Sequence, residues 1–154
     1  MTRRKTKTPS PPDFYRILVV EDDARRVAKF KQWTAVFDDD IRFVWAKSVG
    51  PALGILARDE EDTYHGVMLD HDLHTNTVID IEQGFDGRNV VHAVIENIRK
   101  DIPILVHSAN RRFAPIMADM LAEAGFSHIN QLPMQELGEV RFGCWLADVM
   151  HEAE

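Results

Sequence analysis

With 154 residues, 45% of them hydrophobic, the chain is long enough for one domain with a sizeable core and short for two. A formal net charge of −7 disfavours extended, sequence-independent nucleic-acid binding, which relies on many Lys and Arg contacts to phosphates, but leaves room for a small phosphorylated ligand. Cys144 is the single cysteine, so no internal disulfide can form; no apolar run nears the roughly 20 residues of a membrane span and no secretory signal core precedes the domain, so the expected location is the cytoplasm.

In chain order, Arg3, Arg4, Lys5 and Lys7 precede Thr8-Pro9-Ser10-Pro11-Pro12, and residues 1–14 read as a basic, proline-rich, disordered tail. Residues 15–154 read as one domain. Ile17 to Val20 is apolar on both faces, as a buried parallel strand is. Asp23 to Phe37 follows as a helix with Val27, Phe30, Thr34 and Phe37 on one side. Ile41 to Trp45 is a second strand, and Ser48 caps a helix that carries Leu53, Leu56 and Ala57 inward. Val67 to Leu69 is the third strand. The polar stretch 71–86 has no period and predicts an inserted functional loop or lid. A helix resumes near Gly87 with Val90, Val91, Val94, Ile95 and Ile98 as its apolar stripe. Ile104 to Val106, after Pro103, is the fourth strand. Phe113, Ile116, Met117, Met120 and Leu121 mark a helix that Gly125 stops, His128 to Gln131 a fifth strand, and Phe142, Trp145, Leu146, Val149 and Met150 a closing helix.

Strands alternating with helices predict an α/β domain with a doubly wound, five-stranded parallel sheet, right-handed crossovers and the flavodoxin-like order 2-1-3-4-5. Such sheets bind ligands beyond the carboxyl ends of their strands, at the switch point between the first and third. The residues just after Val20, Leu69 and Val106 therefore carry the functional expectation. They read Glu21-Asp22-Asp23, Asp70-His71-Asp72 and His107-Ser108-Ala109-Asn110. Taken singly, Asp23 can cap the first helix, and Asp72 and Asn110 can stabilise turns. Together they form a site: carboxylates about 4 Å apart repel by roughly 4 kcal/mol when partly screened, and a divalent cation relieves this. Carboxylates alone suit Mg²⁺; imidazole from His71 or His107 shifts the preference toward Mn²⁺, Zn²⁺ or Fe²⁺. Ser108, Asn110 and Arg111 stand where a phosphate could be held at the start of the fourth helix, with Arg112 beside them.

At these residues the sequence resembles the receiver domains of response regulators, over about Arg16 to Pro133. The resemblance places Glu21 and Asp22 on the acidic metal-binding pair, Asp70 on the phosphoacceptor and Ser108 on the switch hydroxyl. It breaks at the fifth strand, where receivers carry a lysine before a proline and this chain has Asn130-Gln131-Leu132-Pro133. A closer resemblance is to the receiver-like family proposed to process cyclic phosphates, through Leu69-Asp70-His71-Asp72-Leu73 and His107-Ser108-Ala109-Asn110; His74 replaces the glycine expected next.

That resemblance implies a metal-dependent phosphoesterase opening cyclic phosphates on nucleotides or RNA ends. In that reading Glu21, Asp22 and Asp70 hold Mg²⁺ or Mn²⁺, with Zn²⁺ admissible, and Asp72 or His71 completes the shell. His107 is the acid for the departing ribose oxygen, and Ser108, Asn110 and Arg111 hold phosphate oxygens. The alternative is a stand-alone receiver module, phosphorylated on Asp70 by a histidine kinase or degenerate and used for partner binding. A phosphate- or nucleotide-binding sensor without turnover is a third reading.

Overall fold

A computed structural model describes residues 12–37, 39–59, 63–71, 73 and 87–153. The order is β1 (Tyr15–Val20), α1 (Ala24–Trp33), β2 (Ile41–Ala46), α2 (Val49–Ala57), β3 (Gly66–Leu69), α3 (Gly87–Asn97), β4 (Ile104–Val106), α4 (Phe113–Glu123), β5 (Ile129–Gln131) and α5 (Glu139–Glu152). The five strands are parallel in the order β2-β1-β3-β4-β5, as expected. Asp72, residues 74–86 of the expected insertion and residues 1–11 of the expected tail lie outside the described residues. No described helix is long and apolar enough to cross a membrane.

Each strand sends alternate residues to opposite layers, so two cores form. Leu18, Val20, Val67, Leu69, Ile104 and Val106 pack toward α2, α3 and α4 with Ala52, Leu56, Val91, Val94, Met117 and Leu121. Ile17, Val19, Met68 and Leu105 pack on the other side against Val27 and Phe30 of α1 and Phe142, Trp145, Leu146 and Val149 of α5. This parity, carried one residue past each strand, also sorts the polar residues of the site.

The local differences from expectation have simple causes. α1 stops at Trp33 rather than running to Phe37, and Thr34–Val36 forms a tighter 3₁₀ turn. The Thr34 hydroxyl donates to the Lys31 carbonyl at 2.6 Å, a local bond that competes with helical propagation. In α2, burial of Val49, Ala52 and Leu56 fixes the inward stripe, which leaves Ala57 exposed and Leu53 half-buried. In α4 the inward positions are Ala114, Met117 and Leu121, and Ile116 faces solvent. His128 lies outside β5, although its carbonyl accepts from Ile104 N at 2.8 Å. Gly125, at φ 100°, ends the α4 turn in the left-handed region that suits glycine.

Candidate functional site

The sheet register assembles the site. Val20 pairs with Leu69, and Leu69 with Val106, so their successors Glu21, Asp70 and His107 come level at the carboxyl edge. Their backbone amides continue the ladder: Asp70 N donates to Val20 O at 3.1 Å and His107 N to Leu69 O at 3.0 Å. All three share the parity of Ile17, Met68 and Leu105 and so belong to the layer of α1 and α5. They are buried, and ligating atoms from the three lie within 4.8 Å of one another.

Within the trio, His107 Nε2 stands 2.8 Å from Glu21 Oε2, with both side chains fully enclosed. The imidazole meets the Phe30 ring edge to face at 5.4 Å. Glu21 also accepts from the Asp23 amide at 3.1 Å, and its carbonyl accepts from Trp45 Nε1 at 2.6 Å. Arg26, from the first turn of α1, places Nη1 3.3 Å from both Glu21 Oε1 and Asp70 Oδ2. Burial pushes the Glu21 carboxyl up. The hydrogen bond and charge of His107, the Asp23 amide and Arg26 outweigh it, and hold the group below its ordinary 4.5.

Asp70 opens toward a cleft of about 390 Å³ whose walls include Asp22, Asp23, Arg26 and Ala109. Half-buried Asp22 sits on this wall rather than in the trio. Asp23 is the N-cap of α1, accepting from Arg25 N at 2.9 Å, the capping role its position predicts.

The other predicted residues go elsewhere. His71 and Ser108 have the parity of Leu69 and Val106 and belong to the opposite layer. His71 stacks on Phe113 with centroids 4.3 Å apart and planes 12° from parallel. Ser108 Oγ accepts from Asn110 N at 3.1 Å. Asn110 Oδ1 accepts from the amides of Arg112 and Phe113, both at 3.1 Å, and thereby caps α4. Arg111 is exposed. Asp72, expected to complete the metal shell, lies outside the described residues.

Arg26 is the residue that sequence reasoning missed. Its signal was the Asp23 cap: three residues beyond a cap at a strand end, a side chain stands in the first helical turn, over that strand end.

Known proteins share the fold and identify the family. Residues 17–123 match the family described as the cyclic-phosphate processing receiver domain. A CheY-like response regulator receiver domain from Methanospirillum hungatei is similar in structure, with a TM-score of 0.62 at 15% identity over 91% of this chain and 96% of that one. A response regulator receiver protein from Sinorhizobium medicae gives 0.63 at 17% identity, covering 92% and 98%. The phosphorylated cyanobacterial phytochrome response regulator RcpA gives 0.60 at 17%, covering 90% and 91%. No curated protein matches the chain. These structural likenesses establish a shared fold, and the family match over 17–123 establishes kinship: the chain belongs to the cyclic-phosphate processing receiver domain family.

Proposed function

We propose that the domain is a metal-dependent phosphoesterase that opens cyclic phosphates on nucleotides or RNA ends. The observation that carries this reading is the pair of buried carboxylates Glu21 and Asp70, gathered within 4.8 Å of each other and of the His107 imidazole that is joined to Glu21.

Glu21, Asp70 and the half-buried Asp22 fit a divalent ion such as Mg²⁺ or Mn²⁺, with the His107 imidazole behind Glu21 holding that carboxylate. When bound there, the ion supplies Lewis acidity toward the phosphoryl group. Opening the ring adds a water oxygen to phosphorus and breaks one ring P–O bond. The proton released by that water ends on the departing ribose oxygen. Arg26 contributes directly, since its guanidinium lies on the cleft wall and can donate to a phosphate oxygen. Asp70 receives the phosphate side of the ligand at the cleft floor.

His107 takes a different part from the acid expected from sequence. It is fully enclosed and is not among the residues lining the Asp70 cleft, so it acts on Glu21, as a positioning residue. His71 and Ser108 stabilise the loops behind Asp70 and the start of α4.

The alternative is a receiver module phosphorylated on Asp70. It draws on the fold shared with response regulators and on Asp70 standing at the end of β3. Against it, β5 presents exposed Asn130 and Gln131 where a receiver's lysine is expected. A panel of Mg²⁺, Mn²⁺ and Zn²⁺ crossed with 2′,3′-cyclic nucleotides, beside labelling with acetyl phosphate, tests the two. Metal-dependent ring opening without labelling is expected; labelling of Asp70 without hydrolysis makes the domain a receiver module.

A further inference from the structure

A second cleft, of about 550 Å³, adjoins the first and is walled by Lys29, Trp33, Met134 and Leu137 in addition to Asp23, Arg25, Arg26 and Ala109. The last four also line the Asp70 cleft, so the two form one groove that runs from the acidic trio along α1. Its volume lies within the range of about 300–1,000 Å³ usual for small-molecule sites. We propose that this second cleft is the subsite for the nucleoside of the substrate, with the base laid against Trp33 and Met134 and the ribose directed toward Asp70. The inference rests on the phosphoesterase reading and adds to it where the nucleoside is held and by which residues.

Arg26, Lys29 and Trp33 follow one another at three and four residues, so α1 presents two cations and an indole along one side. Half-buried Trp33 packs against Phe30 and Phe142, with centroids 5.8 and 5.6 Å away. An anchored ring presents a flat face at little entropic cost on binding. Met134 and the buried Leu137, from the segment after β5, supply the apolar wall. Arg25 is paired with Asp23 at 3.2 Å and Arg26 with Glu21 and Asp70 at 3.3 Å, so exposed Lys29 is the cation most available to the outer part of a ligand, with Arg26 marking the phosphate side.

Those features select among phosphorylated ligands. A sugar polyphosphate would use the cations and leave Trp33 and Met134 without a role. An alkyl phosphate would use the apolar wall and leave Lys29 without one. A nucleobase uses both, because its face stacks on indole while its edge offers acceptors to an ammonium group.

Calorimetric titration of the Mn²⁺-loaded protein with 2′,3′-cyclic AMP, glycerol 1,2-cyclic phosphate and 3′-AMP tests the proposal. The cyclic nucleotide should bind roughly 10-fold more tightly than the glycerol analogue, the low end of what base stacking contributes. Trp33→Leu should remove that difference and leave the glycerol analogue unchanged. Lys29→Ala, at an exposed position that folding does not need, should weaken the nucleotide alone by about threefold and keeps the test valid if Trp33→Leu misfolds. Equal affinity for the two cyclic phosphates overturns the subsite and leaves the cyclic-phosphate site standing. Trp33-dependent binding of 3′-AMP with no binding of either cyclic phosphate keeps the subsite and overturns the phosphoesterase reading. Binding of no nucleotide overturns both.

Discussion

At the carboxyl ends of β1, β3 and β4 the two faces of the sheet hold similar residue types and put them to different uses. On the α1 and α5 side, Glu21, Asp70 and His107 converge with Arg26 over them, and the assembly opens on a cleft. On the other side, His71, Ser108 and Asn110 close on their neighbours: a ring stacked on Phe113, a hydroxyl taken by the Asn110 amide, and an amide oxygen capping α4. Asp70 and His71 are adjacent in sequence, as are His107 and Ser108, yet each pair is split between the faces. What decides the use of a strand-end residue here is its parity relative to the strand before it, more than its chemistry.

Removing a charge from the open face should have the largest effect. Asp70→Asn takes one carboxylate from the trio while Glu21 keeps both Arg26 and His107, so the fold should persist. Hydrolysis of 2′,3′-cyclic AMP should be abolished. The rise in melting temperature that millimolar Mn²⁺ gives the wild type should disappear, since that rise measures ion binding to the folded state alone. A variant whose melting temperature still climbs with Mn²⁺ would place the ion elsewhere.

Next in size is His107→Gln. A residue that orients a ligating carboxylate typically contributes 10- to 100-fold, or about 1.4–2.7 kcal/mol. The rate should fall by that factor together with Mn²⁺ affinity, and equally for substrates with good and poor leaving groups. Selective recovery with a good leaving group would restore His107 as the acid. The same pair links folding to pH. The Glu21 carboxyl is held below 4.5 in the folded protein, so the stability it lends is complete above that value and is lost as pH falls through the folded-state value. Thermal melts from pH 7 down to pH 3 should show a steeper acid loss for the wild type than for Glu21→Gln.

The closed face is tested by Gly87. A Cβ there would stand 2.5 Å from His71 Cα and 2.8 Å from the Asp70 carbonyl oxygen, both backbone atoms with little freedom to yield. Gly87→Ala should cost about 1–3 kcal/mol in urea unfolding, the usual scale of overpacking. A neutral result would mean that the start of α3 is free to move away from β3.

Much of this was legible in the sequence, for identifiable reasons. Buried parallel strands are short continuous apolar runs, so Ile17 to Val20 and Ile104 to Val106 announce themselves, and alternation with helices leaves few topologies. The switch-point rule then led to the three strand-end segments that begin with Glu21, Asp70 and His107, without separating these from their neighbours. Parity could also have been read, from the last apolar residue of each strand, and it separates His107 from Ser108 without coordinates. Arg26 was harder, since its position depends on how α1 crosses β1 and β3, a tertiary angle that periodicity does not carry. Ala57 and Ile116 went astray because an apolar residue beside an inward stripe looks like part of it until the helix is docked.

The smallest expected effect separates the two faces most finely, at Asn110. From sequence this residue holds a phosphate oxygen; in the fold its Oδ1 accepts from two amides at the start of α4. Asn110→Ala leaves those amides without their acceptor and should cost about 1 kcal/mol of stability, as lost helix caps do. Asn110→Asp is the more telling variant, because a carboxylate caps as well as an amide and gains from the helix dipole, while adding a negative charge. If Asn110 only caps, the aspartate variant should melt at or above the wild-type temperature and keep the wild-type KM for 2′,3′-cyclic AMP. If it touches the substrate phosphate, the same stable variant should show a KM raised at least tenfold through repulsion between like charges. Stability measured beside KM therefore assigns Asn110 to the closed face or to the open one.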